Sequence, residues 1–231
     1  MANIILIAGT YLGGYYYDPI VPALIQAGHR VFPVTLSGLD PAKPHPMPIN
    51  LDTHINDVLQ VIEENQLEDV VLVGHSYGGM PITGAADRTT ARVQKLIYLD
   101  AQMPKPGQRE WDLMLEKDRI PPLRTGLDGL NMHPEEWLLE LHPRMQPHPL
   151  ATKLQQLHYD QAKFDSFAKV FVYCTEWFRN GDASPFGPIL ERIKGEPGWE
   201  THTWNVGHDT IGEAGEKVID LLLRLDDPVD N

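Results

Sequence analysis

Residues 70–80 read VVLVGHSYGGM, and this stretch decides the fold. The run Val70–Val73 is aliphatic and has no polar alternation, which is typical of a strand buried on both faces in a parallel sheet. It leads into Gly74–Gly78, a Gly-x-Ser-x-Gly pattern in which a strand turns sharply into a helix and presents one serine above the sheet. We therefore predict that Ser76 is a nucleophile.

The residues around this pentapeptide strengthen the prediction, because glycine-rich turns also end strands for purely structural reasons. A helix-compatible run, Met80–Arg88, follows the turn and carries small residues suited to close packing on a sheet. Gly74 and Gly78 stand two positions before and after the serine, where the neighbouring backbone would collide with a side chain. The spacing therefore favours a nucleophile turn.

Length and composition indicate one α/β domain over residues 1–231. The chain has 42% hydrophobic and 22% charged residues, an ordinary globular composition. Its net charge of −13 argues against a nucleic acid or an anionic membrane as partner, because both would repel an acidic surface. The oligomeric state stays open, with a homodimer as one alternative.

Cysteine usage and the first residues bear on the compartment. Cys174 is the single cysteine, which excludes an internal disulfide and fits a reducing environment. The apolar run near Met1 has no basic segment before it, so it reads as a first strand rather than a leader. A cytoplasmic protein is the default expectation.

Strand and helix patterns alternate along the chain, which predicts a mostly parallel sheet with helices on both faces. The predicted strands are Asn3–Ala8, Arg30–Val34, Val70–Val73, Lys95–Asp100, Val170–Cys174 and, as an edge strand, Trp199–Trp204. The predicted helices are Tyr15–Ala27, Leu51–Gln66, Met80–Arg88 and Glu213–Leu225.

A segment without convincing strands, about residues 103–167, separates two of the predicted strands. We expect it to form a helical lid over the carboxyl ends of the strands and to shape a substrate pocket. Its histidines lack the close pairing with carboxylates that is typical of metal sites, so we expect no metal and interpret them as surface or turn residues. They are His133, His142, His148 and His158.

The glycine-rich turn after the first strand is a candidate oxyanion hole. Gly9–Gly14 lacks the Gly-x-Gly-x-x-Gly spacing of dinucleotide sites, and we expect no cofactor. The backbone N–H groups of Thr10 and Tyr77 would instead point at a developing negative oxygen, where each donor typically contributes about 3 kcal/mol in the transition state.

His208 and Asp100 are the candidate partners of Ser76. His208 follows the last predicted strand, so its loop would reach the carboxyl edge of the sheet and its ring could accept the serine proton. Asp100 ends the strand after the one that carries Ser76, where open α/β sheets place functional groups. An alternative role for Asp100 is to cap the turn at Pro104–Gly107.

Motifs along nearly the whole chain resemble those of α/β-hydrolases of the hydroxynitrile lyase and plant methyl-esterase group, which includes the salicylate-binding esterases. The order serine, acid, histidine is also that of α/β-hydrolases. The motifs that carry the resemblance are Gly9 with Gly13-Gly14 and Tyr15–Tyr17, Ala27–Val31, Leu72–Met80, Cys174–Glu176 and Gly207-His208.

Two positions depart from the pattern of this group. Its members usually place a histidine before the oxyanion turn, where this chain has Ala8. Its members also read Cys-Thr-x-Asp after the sixth strand, and that aspartate is their triad acid, whereas this chain has Trp177. We therefore take Asp100 as the first candidate acid and Glu176 and Asp182 as the alternatives.

The resemblance also implies how to separate the two chemistries of the group. Its lyases carry a threonine, a glutamate and a lysine at the positions of Gly9, His75 and Asp209. A lysine would hold cyanide by charge attraction, whereas Asp209 would repel it. We therefore expect a serine hydrolase that cleaves a small carboxylic ester or lactone through an acyl-enzyme at Ser76. The alternatives are a lyase and a small-molecule receptor with weak hydrolase activity.

Overall fold

A six-stranded parallel sheet forms the centre of the molecule. The computed structural model describes residues 1–43, 48–114, 119, 130–177 and 182–225. The strands are β1 Asn3–Ile7, β2 Arg30–Val34, β3 Val70–His75, β4 Val93–Leu99, β5 Lys169–Cys174 and β6 Trp199–Trp204. Their order is β6-β5-β4-β3-β1-β2, and every neighbouring pair is parallel. The predicted fold class is therefore confirmed, with β6 at an edge.

Helices connect the strands, and short ones fill the segment between β4 and β5. They are α1 Val21–Gln26, α2 Leu51–Glu64, α3 Gly79–Arg88, α4 Glu110–Leu113, α5 Glu136–Leu141, α6 Ala151–Leu154, α7 Gln161–Asp165, α8 Gly187–Ile193 and α9 Thr210–Leu223. The helix predicted over Tyr15–Ala27 is divided into a 3₁₀ turn at Gly14–Tyr17 and α1. Pro22 lies in the first turn of α1, where its missing N–H costs no helical bond.

The core lies on both faces of the sheet, as the apolar run in β3 predicts. Every residue of β3 is buried. Leu72 packs in the hydrophobic cluster on one face, whereas Val71 and Val73 pack in the cluster on the other. Since successive side chains of a strand point to opposite faces, this run without polar alternation is what a central strand requires.

The segment between β4 and β5 is called the insertion here and corresponds to the predicted lid, about residues 103–167. Its described part contains α4 to α7 and a two-residue ribbon in which Asn131–Met132 pairs with His148–Pro149. Residues 115–118 and 120–129 of the predicted lid lie outside the described residues. Within the described ranges, no helix is both long and apolar enough to cross a membrane.

Candidate active site

Ser76 and Asp100 occupy equivalent places at the ends of neighbouring strands. The last pair in the β3–β4 register is His75 with Leu99, so each of the two residues comes directly after its strand. Both have left-handed backbone conformations, with φ of 53° at Ser76 and 43° at Asp100. Such values are uncommon for residues other than glycine and concentrate at functional sites. One type of turn therefore places a hydroxyl and a carboxyl at the same sheet edge.

The glycines around Ser76 are required by the close approach of backbone atoms. A Cβ on Gly74 would lie 2.6 Å from the Gly78 carbonyl carbon, and one on Gly78 would lie 2.4 Å from the Ile7 carbonyl oxygen. In the turn after β1, a Cβ on Gly9 would lie 2.9 Å from the Ser76 Cβ. Residues with side chains would displace the serine, because real Cβ atoms do not approach so closely.

Asp100 is hydrogen-bonded to the ring of His208. The distance from His208 Nδ1 to Asp100 Oδ2 is 2.7 Å, and both side chains are buried. Asp100 Oδ1 also accepts hydrogen bonds from the Cys174 N–H at 3.1 Å and the Ser184 hydroxyl at 2.9 Å. Three donors from β5 and the two following loops thus converge on a carboxylate at the end of β4.

Burial sets the protonation of this pair. It raises the pKa of Asp100, while the hydrogen bonds from Cys174 and Ser184 lower it and favour the carboxylate. It lowers the pKa of His208 to about 3. At neutral pH the imidazole is therefore uncharged, and because it donates from Nδ1 to Asp100, its acceptor lone pair is on Nε2.

A cavity of about 390 Å³ opens above this sheet edge, and Ser76, His208 and Thr10 all line it. Its volume is in the range of small-molecule sites. Much of the remaining wall is aromatic or aliphatic and comes from Tyr16, Leu113, Trp137, Leu138, Trp177 and Phe186. The cavity can therefore enclose a small, largely apolar molecule beside the serine hydroxyl.

Trp177 packs on the imidazole of His208. The two ring centroids are 4.2 Å apart, and Phe186 lies 5.7 Å from the same ring. Trp177 belongs to a short ribbon, Glu176–Trp177 with Asp182–Ala183, in which it pairs with Asp182. The position that holds an aspartate in the resembling group thus covers the imidazole with an indole, while Asp100 supplies the carboxylate.

His75 supports the loop that carries His208. Its Nε2 donates a hydrogen bond to the His208 carbonyl oxygen at 2.8 Å, and its ring stacks on Tyr16 with centroids 4.9 Å apart. Burial, followed by the proximity of His208, lowers the pKa of His75 to about 3. The neutral side chain therefore connects the serine turn to the histidine loop.

Three buried polar residues of the insertion lie near the site without having been predicted there. Lys153 Nζ is 2.6 Å from Glu110 Oε2, and both side chains line the cavity. The interpretation of His148 as a surface or turn residue was wrong, since its ring is fully buried. No local pattern could have revealed the pair, because 43 residues separate Lys153 from Glu110.

Among the residues that the structure describes, no group of three or more His, Cys, Asp or Glu side chains could hold a metal ion. His142 instead approaches Asp209, with 3.2 Å between Nε2 and Oδ2.

Comparison with known proteins defines the class. Residues 4–221 match the model of the alpha/beta hydrolase family, and the chain belongs to that family. This confirms the relationship that its motifs indicated.

Individual relatives extend over different parts of the chain. A carbendazim hydrolyzing esterase of Nocardioides sp. (strain SG-4G) is 32% identical across 97% of this chain and 100% of that protein. An alpha-hydroxynitrile lyase of Arabidopsis thaliana is 33% identical, but across 44% of this chain and 40% of its own. The solved structure of an extracellular alpha/beta-hydrolase from a Paenibacillus species superposes with a TM-score of 0.82 at 19% identity, covering 97% of this chain and 99% of that one.

Proposed function

We propose that the protein is a serine hydrolase that cleaves a small carboxylic ester or lactone through an acyl-enzyme at Ser76. The observation that carries the proposal is the 2.7 Å hydrogen bond between His208 Nδ1 and the buried Asp100 Oδ2, because His208 lines the same cavity as Ser76. A neutral, buried imidazole oriented by a carboxylate is the general base that a serine nucleophile needs.

In the proposed first step, the Ser76 hydroxyl attacks the carbonyl carbon of the ester while His208 Nε2 accepts the hydroxyl proton. The tetrahedral intermediate collapses as the imidazolium gives that proton to the departing alcohol, which leaves an acyl-serine. Water then repeats the sequence on the acyl-serine and releases the acid. Asp100 keeps the proton on Nδ1 and stabilises the transient imidazolium.

The oxyanion would accept hydrogen bonds from the backbone N–H groups of Thr10 and Tyr77. Tyr77 lies in the helical turn that begins at Ser76, and N–H groups in a first turn have no acceptor within the helix. Thr10 follows Gly9, whose missing side chain leaves room beside Ser76. Removing one such donor typically lowers kcat by about 10²- to 10³-fold.

The substrate class follows from the cavity and from the relative that aligns over nearly the full length. That relative is named for hydrolysis of carbendazim, and aromatic side chains line the cavity here. We therefore propose esters with an aromatic group on one side of the carbonyl and a small group on the other, with carbendazim itself as a test compound.

Cyanohydrin cleavage is the second candidate, because of the partial match to a hydroxynitrile lyase. Charge argues against it. Burial alone would raise the pKa of Asp209, but hydrogen bonds from His142 and the Gly212 N–H lower it to about 2. Asp209 is thus anionic at neutral pH, beside His208, and would oppose a bound cyanide. The receptor alternative depended on a missing acid, whereas Asp100 lies in hydrogen-bonding contact with His208.

The proposal is tested by reaction with a fluorophosphonate probe and by turnover of p-nitrophenyl acetate, carbendazim and mandelonitrile. We expect labelling at Ser76, hydrolysis of p-nitrophenyl acetate or of the carbamate carbendazim, and a loss of about 10⁶-fold in kcat in Ser76→Ala. An unlabelled wild-type protein that still binds an aromatic acid would contradict catalysis. Turnover of mandelonitrile alone would favour the lyase.

A further inference from the structure

A single buried ammonium from the insertion contacts both residues of the proposed oxyanion hole. Lys153 Nζ donates a hydrogen bond to Thr10 Oγ1 at 2.5 Å and lies 4.3 Å from the centroid of the Tyr77 ring. Its side chain is only 1% exposed. Thr10 lies in the turn after β1 and Tyr77 in the helical turn after β3, so this one side chain links the two elements proposed to face the oxyanion.

The ammonium is held in place by Glu110. The carboxylate oxygens lie 2.7 and 2.6 Å from Nζ, and the Glu110 side chain is 5% exposed. Burial lowers the pKa of Lys153 and raises that of Glu110, while their mutual attraction opposes both shifts. Buried ion pairs contribute little net stability, because desolvation offsets their attraction, and apolar replacements are often as stable. A role other than stability is therefore a reasonable hypothesis for this pair.

The neighbouring residues of the insertion hold the rest of the oxyanion turn. The Tyr11 N–H donates to His148 Nδ1 at 3.3 Å, and the Tyr11 carbonyl accepts from the Gln146 N–H at 2.9 Å. The Thr152 hydroxyl donates to the Pro149 carbonyl, so its oxygen accepts from His148 Nε2 at 3.0 Å. His148 is thus a neutral ring that donates from Nε2 and accepts at Nδ1.

Tyr11 itself has a left-handed backbone, with φ of 70°. A conformation that is uncommon for a tyrosine persists only where its surroundings impose it. The bonds to Gln146 and His148 on the two sides of Tyr11, and the bond from Lys153 to Thr10, provide that constraint.

We propose that Lys153 is a positioning residue for the oxyanion hole, through which the insertion holds the Thr10 and Tyr77 amides in their catalytic placement. This inference rests on the proposed hydrolase function. Lys153 acts through Thr10 Oγ1 and the Tyr77 ring and forms no bond with the reacting carbonyl. Since a 1 Å misplacement of a catalytic group can cost about 10²-fold in rate, its loss affects the chemical step more than substrate binding.

The first test removes both charges together, in the double variant Lys153→Met with Glu110→Leu, so that neither ion is left buried alone. We expect kcat for p-nitrophenyl acetate to fall by about 10²-fold, while KM changes by less than about threefold. A trifluoromethyl ketone, which forms an oxyanion on Ser76, should bind more weakly by a similar factor.

Lys169→Met is the matched control, because Lys169 is also buried but lies away from the cavity. Its Nζ donates to the carbonyls of Phe164, Asp165 and Phe167. This variant should lose stability and keep the wild-type kcat. A double variant at Lys153 and Glu110 that keeps its kcat, or in which KM alone rises, overturns the proposal. In the second case Lys153 would be a substrate-binding residue.

A second pair of variants keeps the test decisive if the double variant does not fold. Thr10→Val removes the acceptor of Lys153 and leaves the backbone amide in place, so kcat should fall, whereas Thr10→Ser should recover activity relative to Thr10→Val. Equal activity of these two variants would overturn the inference. Failure of the proposed hydrolase function can be told apart from failure of this inference, since the wild-type protein would then neither turn over esters nor be labelled at Ser76.

Discussion

The rim of the sheet and the insertion contribute to the same cavity in different ways. At the rim, which is the carboxyl edge of the sheet, Ser76 and Asp100 directly follow β3 and β4, and His208 lies in the loop after β6. On the other side, Glu110 and Lys153 come from short helices of four residues each. The proposed reacting groups are thus placed by the strand ends, whereas short helices contribute Glu110 and Lys153 to the cavity wall.

This difference suggests a division of labour between the two regions. Loss of Ser76, Asp100 or His208 should lower kcat by several orders of magnitude, whereas other changes around the cavity, in the rim or in the insertion, should alter the rate by smaller factors.

Asp100→Asn should lower kcat by about 10⁴-fold, with KM little changed, because an amide in this place stabilises the wrong tautomer of His208. Steady-state kinetics on p-nitrophenyl acetate measures the effect. Glu176→Gln is the control and should retain the wild-type kcat. The reverse outcome, with activity lost in Glu176→Gln and kept in Asp100→Asn, would move the acid from the end of β4 to the ribbon after β5.

Gly9→Ala should lower kcat by about 10²-fold, because the new Cβ would lie 2.9 Å from the Ser76 Cβ and the two loops must separate. Gly195→Ala is a suitable control. Gly195 has a positive φ, of 81°, which Gly9 does not, and a Cβ there meets no atom within 4 Å. That variant should lose stability and keep its kcat. A fully active Gly9→Ala would show that the serine turn tolerates displacement.

Trp177→Ala should shift the pH dependence of kcat/KM. Burial lowers the pKa of His208, so removing the indole that covers its ring should raise that pKa toward its ordinary value of about 6.5. The base must be neutral to act, so activity in the variant should be lost at a higher pH than in the wild type. We expect the kcat/KM of the variant, relative to that of the wild type, to be about tenfold lower at pH 5.5 than at neutral pH. Trp137→Ala is the control. It opens the cavity wall elsewhere and should not change the pH below which activity is lost.

Asp209→Asn should have the smallest effect on catalysis and a measurable effect on stability. The pKa of Asp209 is lowered to about 2, so its charge stabilises the fold at pH values above the unfolded-state pKa of about 4. The variant should be less stable by about 2 kcal/mol at pH 7. The difference should shrink as the pH falls from 5 to 2, and denaturant unfolding at several pH values measures it. A constant difference would assign the effect to helix capping by Asp209.

Sequence patterns predicted the rim much better than the insertion, for physical reasons. Ser76 is marked by local geometry, since Gly74 and Gly78 are needed wherever a strand turns so tightly into a helix. The choice of Asp100 among three candidate carboxylates depends on strand order. Because β5 and β6 lie beside β4 in the sheet, Cys174 at the end of β5 and His208 after β6 can both bond to Asp100. The roles of these residues stay predictions until the variants are measured.

The insertion was less predictable because its important contacts join residues that are distant in the chain. Lys153 is 143 residues from Thr10, and His148 is 137 residues from Tyr11. No hydrophobic period or motif marks such pairs. A buried histidine whose two ring nitrogens are both satisfied also has the same sequence signature as one in an exposed turn, which explains the wrong interpretation of His148.

The proposed place of the triad acid, at the end of β4, has a consequence for how this fold can diversify. With the acid at Asp100, the residues after β5 need not supply one, and Trp177, Asp182 and Phe186 line the cavity instead. Substitutions at Asp182 or Phe186 would therefore change the shape of the cavity, while the three residues that bond to Asp100 stay in place, namely Cys174, Ser184 and His208.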